Sequence, residues 1–574
     1  MTADLKTSGL TWKMLCLAAL FLLAFLPRYY SAQTLGWDWD YPGSFTLINF
    51  DEAGSCRAAL DGFDYSTFIG QQTLAIAGAL GEGPPAGIAG NARAVKAYCH
   101  GPAHIQVARL YSALLGSLTV VLLALIALQL VPQRPAVAWT AGALLALSGF
   151  HISESQSGTV DAPSVFFIYL FIAVLVAAVA RRSATGLAAS VPLLAAAIWV
   201  KFWFFAGFAY LALLPKVLWD YVSSGMSAAR VAVVVLASAV LMGLLSTSEF
   251  RQASLYPVLA LWYLVIPWRR IHRPMIAVWL LLPLTAWAVT LNDTVFNYTT
   301  SGSQGIFGTA YGAIGWHKWL RNPLNVPLVL LVGLGVPAFA FLPAGIRQLF
   351  LQRDNLRSWL CLLLPVLVFT LYMAFVAPVT YYRHYLALLP AAALLAAVGL
   401  FATRWGQRRW FLLLFFLWPA ALAWDLVSDY HDDPRRELRP WFAQHSEPPR
   451  VFASYYVNPP PGATAHFQPE YAFGDAQVLR KAQYLILSEN WYDTSYANEL
   501  NGPLVNRPHR LVKTTPEFAA FYRMALEGRH RNLVPEQVFE VRNFMPELLL
   551  HKAYYGTFQL FVGDLVIFRV VDDK

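Results

Sequence analysis

A pair of adjacent carboxylates, Asp51 and Glu52, stands out among the residues that could do chemistry. One such acid can accept a proton from an incoming hydroxyl group while its neighbour holds a divalent cation or tunes the first acid's pKa. A short helix that begins here would explain the pair equally well, because Asp51 would cap it and Glu52 would complement its dipole. Asp161 has the same two interpretations: it is an N-cap before Pro163, or a further carboxylate of a shared acidic site.

Three basic residues could bind a phosphate group opposite these acids. Lys201 interrupts an apolar stretch over residues 184–218, and a helix of that length would extend about 52 Å, which is too long for one bilayer crossing. The chain must fold back near Lys201, and the cost of a charge at mid-membrane puts this turn at the membrane surface. Arg383 and Arg109 offer planar bidentate donors that match phosphate. Contact with lipid headgroups is the alternative for Lys201 and Arg109.

Tyrosine and histidine side chains near these positions are further candidates. Tyr382 and His384 flank Arg383, and His317 lies at the end of a second long loop. Together with the acids, the histidines could form a mixed oxygen and nitrogen site for a divalent metal, although no HxxxH or CxxC spacing supports one. A metal cofactor therefore stays an open alternative.

The composition of the chain indicates that a membrane positions these residues. Of its 574 residues, 57% are hydrophobic and only 13% are charged, and the mean hydropathy is +0.48. Soluble proteins carry about 25% charged residues, so a soluble enzyme is excluded. The net charge of +9 is explained by basic loops that set membrane topology, not by binding of nucleic acid. Thirteen apolar runs are long enough to cross a bilayer, with centres near Leu20, Val120, Leu144, Ala173, Leu193, Leu211, Val235, Leu261, Leu280, Val332, Val366, Ala393 and Phe415.

Charge distribution predicts two domains and their orientation. Residues 1–424 form the helical membrane unit, and residues 425–574 form a polar domain whose pattern is mixed α/β. Lys6 and Lys13 keep the N-terminus in the cytoplasm, and the odd number of spans then puts the second domain outside. The long loop over residues 28–103, with its juxtamembrane helices, lies on the same outer side. A cleaved signal peptide in place of the first span would leave that loop outside as well.

The outer loop also contains two cysteines, Cys56 and Cys99. An oxidising compartment would allow them to pair, and two buried thiols are the alternative. Cys16 and Cys361 lie within apolar runs and are expected to be packing residues.

Taken in order, these features resemble the GT-C membrane glycosyltransferases of family 39, the group of the protein O-mannosyltransferases and the lipid A aminoarabinose transferase. The resemblance covers most of residues 1–424. It depends on the acid pair in the large outer loop, the segment 109–116, the loop-end Asp161, Lys201, and Arg383 before the segment 386–390. One departure is that Ala53 and Gly54 follow the acid pair where the mannosyltransferases usually carry a histidine, which argues against a protein acceptor of that kind.

The resemblance implies a GT-C fold and an enzyme that moves a sugar from a polyprenyl-phosphate carrier to a membrane-associated acceptor at the periplasmic face of a bacterial inner membrane. It makes Asp51 the catalytic base or acceptor-orienting acid, with Glu52 and Asp161 as neighbouring carboxylates. Lys201 and Arg383 would hold the carrier phosphate. A secondary transporter or lipid flippase is the alternative, and a non-catalytic assembly or sensor protein is a third interpretation.

Overall fold

The computed structural model shows a helical unit followed by a small sheet domain. It describes residues 2–34, 50–63, 65–181, 183–201, 206, 209, 316–351, 355–375, 382–431, 433–447, 449–453, 457, 476–488, 516–540 and 564–571. The predicted apolar runs centred near Leu211, Val235, Leu261 and Leu280 lie outside the described residues. Each of the other predicted runs is centred on a helix.

The helical unit contains long apolar helices in the part of the chain that the structure describes. Four helices in the described part of the chain are long and apolar enough to cross a membrane, or up to six if each of two bent pairs counts as one span. The protein is therefore a polytopic helical membrane protein. Its helices are α1 (Thr2–Thr34), α2 (Gly54–Asp61), α3 (Thr67–Ala79), α4 (Ala92–Cys99), α5 (Pro102–Leu130), α6 (Pro135–Ala146), α7 (Gly149–Gln156), α8 (Asp161–Arg181), α9 (Ala184–Val200), α10 (Trp316–Leu334), α11 (Val336–Leu351), α12 (Leu356–Phe375), α13 (Leu388–Ala402) and α14 (Arg409–His431).

The two bends coincide with residues that stop a helix. Helices α6 and α7 are bent by 58°, and the Ser148 side chain at the break accepts a hydrogen bond from the backbone N–H of His151. The second bend, of 118°, falls between α10 and α11 at Gly335, whose φ of +83° is readily adopted only by glycine. The run centred near Val332 is thus broken in its second half, which hydropathy alone did not reveal.

Small residues allow α11 and α13 to pack at close range. A Cβ atom at Gly345 would lie 2.0 Å from the carbonyl oxygen of Leu395, and one at Gly399 would lie 2.0 Å from that of Phe341. Lipid is as apolar as a leucine side chain, so helices in a membrane gain little from burying apolar surface and depend on such close packing. The contact fixes the position of α13, which begins directly after the segment that carries Arg383.

The outer loop forms a compact helical layer. A disulfide joins Cys56 in α2 to Cys99 at the end of α4, with a Cα–Cα distance of 5.7 Å. Helix α3 packs on α2 so tightly that a Cβ atom at Gly70 would lie 1.9 Å from the carbonyl oxygen of Ser55. Asp51 and Glu52 lie in a 3₁₀ turn, Phe50–Ala53, immediately before α2, so this layer holds the acid pair in place.

The polar domain contains a four-stranded sheet of β1 (Val451–Ala453), β2 (Tyr484–Ser488), β3 (Leu533–Phe539) and β4 (Leu565–Val570), in the order β1-β2-β4-β3. β1 and β2 are parallel, and β4 is antiparallel to both β2 and β3. The sequence pattern predicts strands over residues 450–457, 482–487 and 565–571, where β1, β2 and β4 lie, whereas β3 was not predicted. Three helices accompany the sheet, α15 (Leu438–Ala443), α16 (Ala476–Leu479) and α17 (Pro516–Leu526).

The beginning of this domain contacts the end of α1. Arg436 donates a hydrogen bond to the carbonyl oxygen of Thr34, and the Tyr30 hydroxyl lies 3.3 Å from Nδ1 of His431. Since Thr34 also begins the chain segment that leads to Asp51, the sheet domain starts at the same end of α1 as the outer loop.

Candidate functional site

Two carboxylates and two cations from distant parts of the chain meet in one cluster. Arg383 Nη2 donates to Asp51 Oδ2 at 2.6 Å, and Arg383 Nε lies 3.6 Å from Asp161 Oδ2. Lys201 Nζ donates to Asp161 Oδ1. Arg383 therefore bridges the two acids, and Asp161 bridges the two cations. The predicted residues Asp51, Asp161, Lys201 and Arg383 form one continuous charged chain.

Each member is placed by the end of a helix or by a tight turn. Asp161 is the first residue of α8, and Lys201 directly follows α9 in an extended conformation, with φ −165° and ψ 130°. Arg383 lies in a 3₁₀ turn, Tyr382–Tyr385, which precedes α13. Helix termini at one end of the bundle therefore bring together residues as far apart in sequence as Asp51 and Arg383.

The exposure of the two acids differs. The side chain of Asp51 is 30% exposed, whereas that of Asp161 is 2% exposed. Arg383 and Lys201 are intermediate, at 15% and 16%. Asp51 is thus the acid that an incoming group can reach, and Asp161 acts from behind by holding both cations.

Glu52 and Arg109 form a separate, fully buried ion pair. Arg109 Nε donates to Glu52 Oε1 at 2.8 Å and Nη2 donates to Oε2 at 3.0 Å, while both side chains are 0% exposed. The backbone N–H of Gly158 donates to the same Glu52 Oε1 at 2.9 Å. The Glu52 carboxylate therefore joins three segments of the chain: its own 3₁₀ turn, helix α5 and the loop at Gly158. This geometry argues against the expected roles of Glu52 in acid–base chemistry and of Arg109 in binding the carrier phosphate.

Glu154, at the end of α7, is a further carboxylate beside the cluster. It is buried, at 6% exposure, and interacts electrostatically with Asp161, Arg383, Lys201 and Asp51. The sequence analysis did not single it out. The sequence signal that could have indicated Glu154 is its position on the same short outer segment as Asp161, in a chain that contains few acidic residues.

Polar contacts inside the bundle hold α7. The buried Arg28 of α1 donates to the carbonyl oxygen of Ala146 at 3.2 Å, and its Nη2 lies 2.9 Å from His151 Nδ1. The Ser155 hydroxyl lies 3.3 Å from the same histidine nitrogen. A charged group in a low-dielectric interior requires such partners, so this network orients α7 and with it Glu154.

The remaining histidine and tyrosine candidates lie near the cluster by backbone position. His384 interacts electrostatically with Lys201, Arg383 and Asp161. Tyr382 belongs to the same 3₁₀ turn, and His317 lies in the first turn of α10, a helix that contacts this turn.

The divalent metal that the sequence left open stays a prediction. Among the described residues, no group of three or more histidine, cysteine, aspartate or glutamate side chains is arranged to hold one. Asp51 and Asp161 are instead directed at the cations of Arg383 and Lys201.

Comparison with known proteins shows a similarity to one family over about a third of the chain. The family model described as dolichyl-phosphate-mannose-protein mannosyltransferase matches residues 59–247. This match confirms the resemblance to the GT-C membrane glycosyltransferases. The matched segment includes Arg109, Asp161 and Lys201 but neither Asp51 nor Arg383, so those two join the site through geometry. No curated protein matched the chain.

Similar solved structures include the Archaeoglobus fulgidus oligosaccharyltransferase in complex with Zn and sulfate, with 12% identity, a TM-score of 0.42, and coverage of 85% of this chain and 69% of that one. ArnT from Cupriavidus metallidurans in the apo state is 14% identical, with a TM-score of 0.38 and coverage of 86% of this chain and 95% of that one. The same ArnT bound to undecaprenyl phosphate has 14% identity, a TM-score of 0.37, and coverage of 85% and 95%.

Proposed function

We propose that this protein is a glycosyltransferase that moves a sugar from a polyprenyl-phosphate donor to an acceptor hydroxyl or phosphate at the outer face of the membrane. The observation that carries the proposal is the bridging position of Arg383 between Asp51 and Asp161, with Lys201 on the second acid. Asp51, the more exposed acid of the four-residue cluster, thus lies in a cluster with two cations that can bind a phosphate.

The resting cluster is balanced, with two carboxylates against two cations. A donor phosphate that enters it is attracted by Arg383 and Lys201, and it competes with Asp51 for the guanidinium group. Asp161 keeps its contacts to both cations because it is buried behind them. Binding of the donor therefore releases Asp51 from Arg383 and frees its carboxylate for the acceptor.

The transfer step follows from this arrangement. The acceptor oxygen attacks the anomeric carbon of the sugar, and the bond from that carbon to the phosphate oxygen breaks. The hydroxyl proton of the acceptor passes to the carboxylate of Asp51, which contributes about 10²–10⁴-fold as a general base. The polyprenyl phosphate leaves with its charge neutralised by Lys201 and Arg383, so it needs no strong acid. A phosphate acceptor would need no base at all.

Glu52, Arg109 and Glu154 act through these residues. The buried Glu52–Arg109 pair holds the turn with Asp51 against Gly158, and so positions Asp51 toward Asp161. Glu154 interacts electrostatically with Lys201 and Arg383 from α7 and so helps to position both side chains.

The wider proposal includes thirteen spans, an inner-membrane location, and the C-terminal domain of residues 425–574 in the periplasm. The contact of Arg436 with Thr34 supports the same side for that domain and the outer loop. A divalent metal requirement stays a prediction of the sequence, and a chelator tests it.

The test is transfer by purified protein that is supplied with polyprenyl-phosphate sugars and candidate acceptors. Asp51→Asn and Arg383→Ala are each expected to lower the rate at least about 100-fold. Asp61→Asn is the matched control, because Asp61 is a carboxylate of the same outer loop that pairs with Arg57 instead. Its rate should stay near that of the wild type.

Transfer that survives both site substitutions would refute the assignment of the site. Movement of the lipid across the membrane without transfer would favour a flippase. Loss of transfer with EDTA and recovery with a divalent cation would establish a metal requirement.

A further inference from the structure

The sheet domain has a cleft that the transfer step does not use. It encloses about 680 Å³ at one end of the sheet. Its walls come from the residues before β1 and β2, the end of β4 and the chain after α15. Sites for small molecules in proteins usually measure about 300–1,000 Å³, so this cleft has room for a ligand larger than a single small ion.

Positive charge dominates the cleft. Its lining includes three arginines, Arg450, Arg480 and Arg569, and one carboxylate, Glu447. Arg569 Nε faces Glu536 at 3.9 Å, which is too long for a strong hydrogen bond, and its side chain is 59% exposed. Guanidinium groups are planar bidentate donors suited to phosphate and carboxylate. The cleft is therefore suited to an anionic group.

One wall consists of aromatic and polar groups in a fixed arrangement. His445 Nδ1 lies 3.0 Å from the carbonyl oxygen of Trp441, and its Nε2 lies 3.2 Å from the Tyr484 hydroxyl. The Trp441 and Tyr484 rings pack edge to face at 4.9 Å. The Tyr484 side chain has an apolar ring and a polar hydroxyl, so it can contact a ligand that has both an apolar face and hydroxyl groups. Because the ring is already held in place, little conformational entropy is lost on binding.

Main-chain hydrogen bonds make the floor of the cleft rigid. The Gln483 side chain accepts from the backbone N–H of Arg450 at 2.9 Å, and the Gln483 N–H donates back to the Arg450 carbonyl oxygen at 2.8 Å. The N–H of Val570 donates to the Gln483 carbonyl oxygen at 2.8 Å. Arg450 and Arg569 therefore extend from two chain segments that are both bonded to the same residue, so their separation changes little.

We propose that this cleft binds an anionic saccharide, a sugar that carries a phosphate or carboxylate group. The arginines bind the anionic group, and the wall of Tyr484 and His445 contacts the sugar ring. The largely polar lining does not suit a lipid tail, and the volume exceeds what a free phosphate ion would fill. Resting on the proposed function, the saccharide is part of the acceptor.

Calorimetric titration of the full-length protein in detergent tests this site. The probes are glucose 1-phosphate, glucuronic acid, inorganic phosphate and neutral glucose. Both anionic sugars are expected to bind more tightly than inorganic phosphate, and glucose at least about 10-fold more weakly than either. Comparison of the two anionic sugars tells whether phosphate or carboxylate is the preferred group.

Substitutions assign the binding to the cleft. Arg450→Gln and Arg480→Gln are each expected to lower the affinity for the anionic sugars about 3- to 10-fold, as for partly exposed charge pairs. Arg529→Gln is the matched control, since Arg529 is an exposed arginine of the same domain that pairs with Glu527 outside the cleft. Equal binding of glucose, or equal affinity in the cleft variants and the wild type, would overturn the proposal.

A second measurement separates this site from the catalytic one. Arg383→Ala removes a cation of the catalytic cluster, so it should still bind the anionic sugars in the cleft while it loses transfer. The cleft variants should raise the acceptor KM about 3- to 10-fold at an unchanged kcat. If the wild-type protein binds the anionic sugars in the cleft but shows no transfer, the saccharide site is retained and the proposed function is refuted. Transfer with an unchanged KM in the cleft variants would refute only the role of the cleft.

Discussion

Replacing Glu52 by glutamine tests whether this acid is structural or catalytic. Glutamine keeps an oxygen that can accept the Gly158 N–H but removes the charge that faces Arg109. If the pair is structural, Glu52→Gln destabilises the protein. If Glu52 takes part in proton transfer, the variant folds normally and only the turnover falls.

The expected loss of stability is large because neither partner contacts solvent. Both side chains are 0% exposed, and Glu52 takes hydrogen bonds from two nitrogens of Arg109. Breaking such a pair leaves an uncompensated buried charge, which costs about 3–5 kcal/mol. Removing both charges, in Glu52→Gln with Arg109→Met, should recover most of this loss, since replacement of a buried pair by groups of similar volume is often nearly neutral.

Unfolding in sodium dodecyl sulfate micelles measures the effect, and the fluorescence of the 20 tryptophans reports it. The double substitution completes a cycle whose coupling energy should reach about 3 kcal/mol. Asp51→Asn is the control: its side chain is 30% exposed, so it should unfold within about 1 kcal/mol of the wild type while losing transfer. The reasoning is refuted if Glu52→Gln unfolds like the wild type yet its kcat falls as far as that of Asp51→Asn.

Three further predictions concern the scaffold of the site. Cys56→Ser with Cys99→Ser opens a loop with a sequence separation of 43 residues. The loss of this cross-link should lower the stability of the outer layer by about 4 kcal/mol through the entropy of the opened loop, and transfer should be lost. Limited proteolysis of the variant and of the wild type, with and without reductant, checks this, and equal cleavage of the two proteins without reductant would contradict it. Gly399→Ala forces a Cβ atom against a carbonyl oxygen of α11 at 2.0 Å and should cost about 1–3 kcal/mol in detergent unfolding, whereas Gly78→Ala, with nothing within 4 Å, should cost nothing. Burial, with help from neighbouring cations, lowers the pKa of His100 to about 4. Since the unfolded chain takes up this proton near its ordinary pKa of about 6.5, the contribution of His100 to stability should be complete above pH 6.5 and fall by about 1–2 kcal/mol toward pH 4. His100→Gln should remove this contribution, so denaturant unfolding between about pH 4 and pH 7 should show a smaller loss of stability than in the wild type, and an unchanged loss would contradict it.

The types and chain positions of the site residues could be read before any coordinates. Asp161, Lys201 and Arg383 are charges at or near the ends of apolar runs, and Asp51 lies in a long outer loop. The long apolar segments described within residues 2–431 are helices for a similarly simple reason, since a segment in lipid must satisfy its own backbone hydrogen bonds.

The partner of each charge could not be read in the same way. The sequence analysis treated Glu52 as the neighbour of Asp51 in function, yet the Glu52 side chain pairs with Arg109 whereas that of Asp51 pairs with Arg383. Glu154 was passed over because nothing in its local pattern shows that α7 bends back beside Asp161. Adjacent residues face different directions, and the direction depends on how the helices pack.

By itself the sequence determined the membrane setting, the helical character and the set of charged residues, because hydropathy and charge act locally along the chain. Only the tertiary structure decided that Arg383 bridges Asp51 and Asp161 and that Glu52 pairs with Arg109. It also decided that three arginines of the sheet domain line one cleft. These pairings join residues from distant segments, and their geometry follows from helix packing, close glycine contacts and strand register.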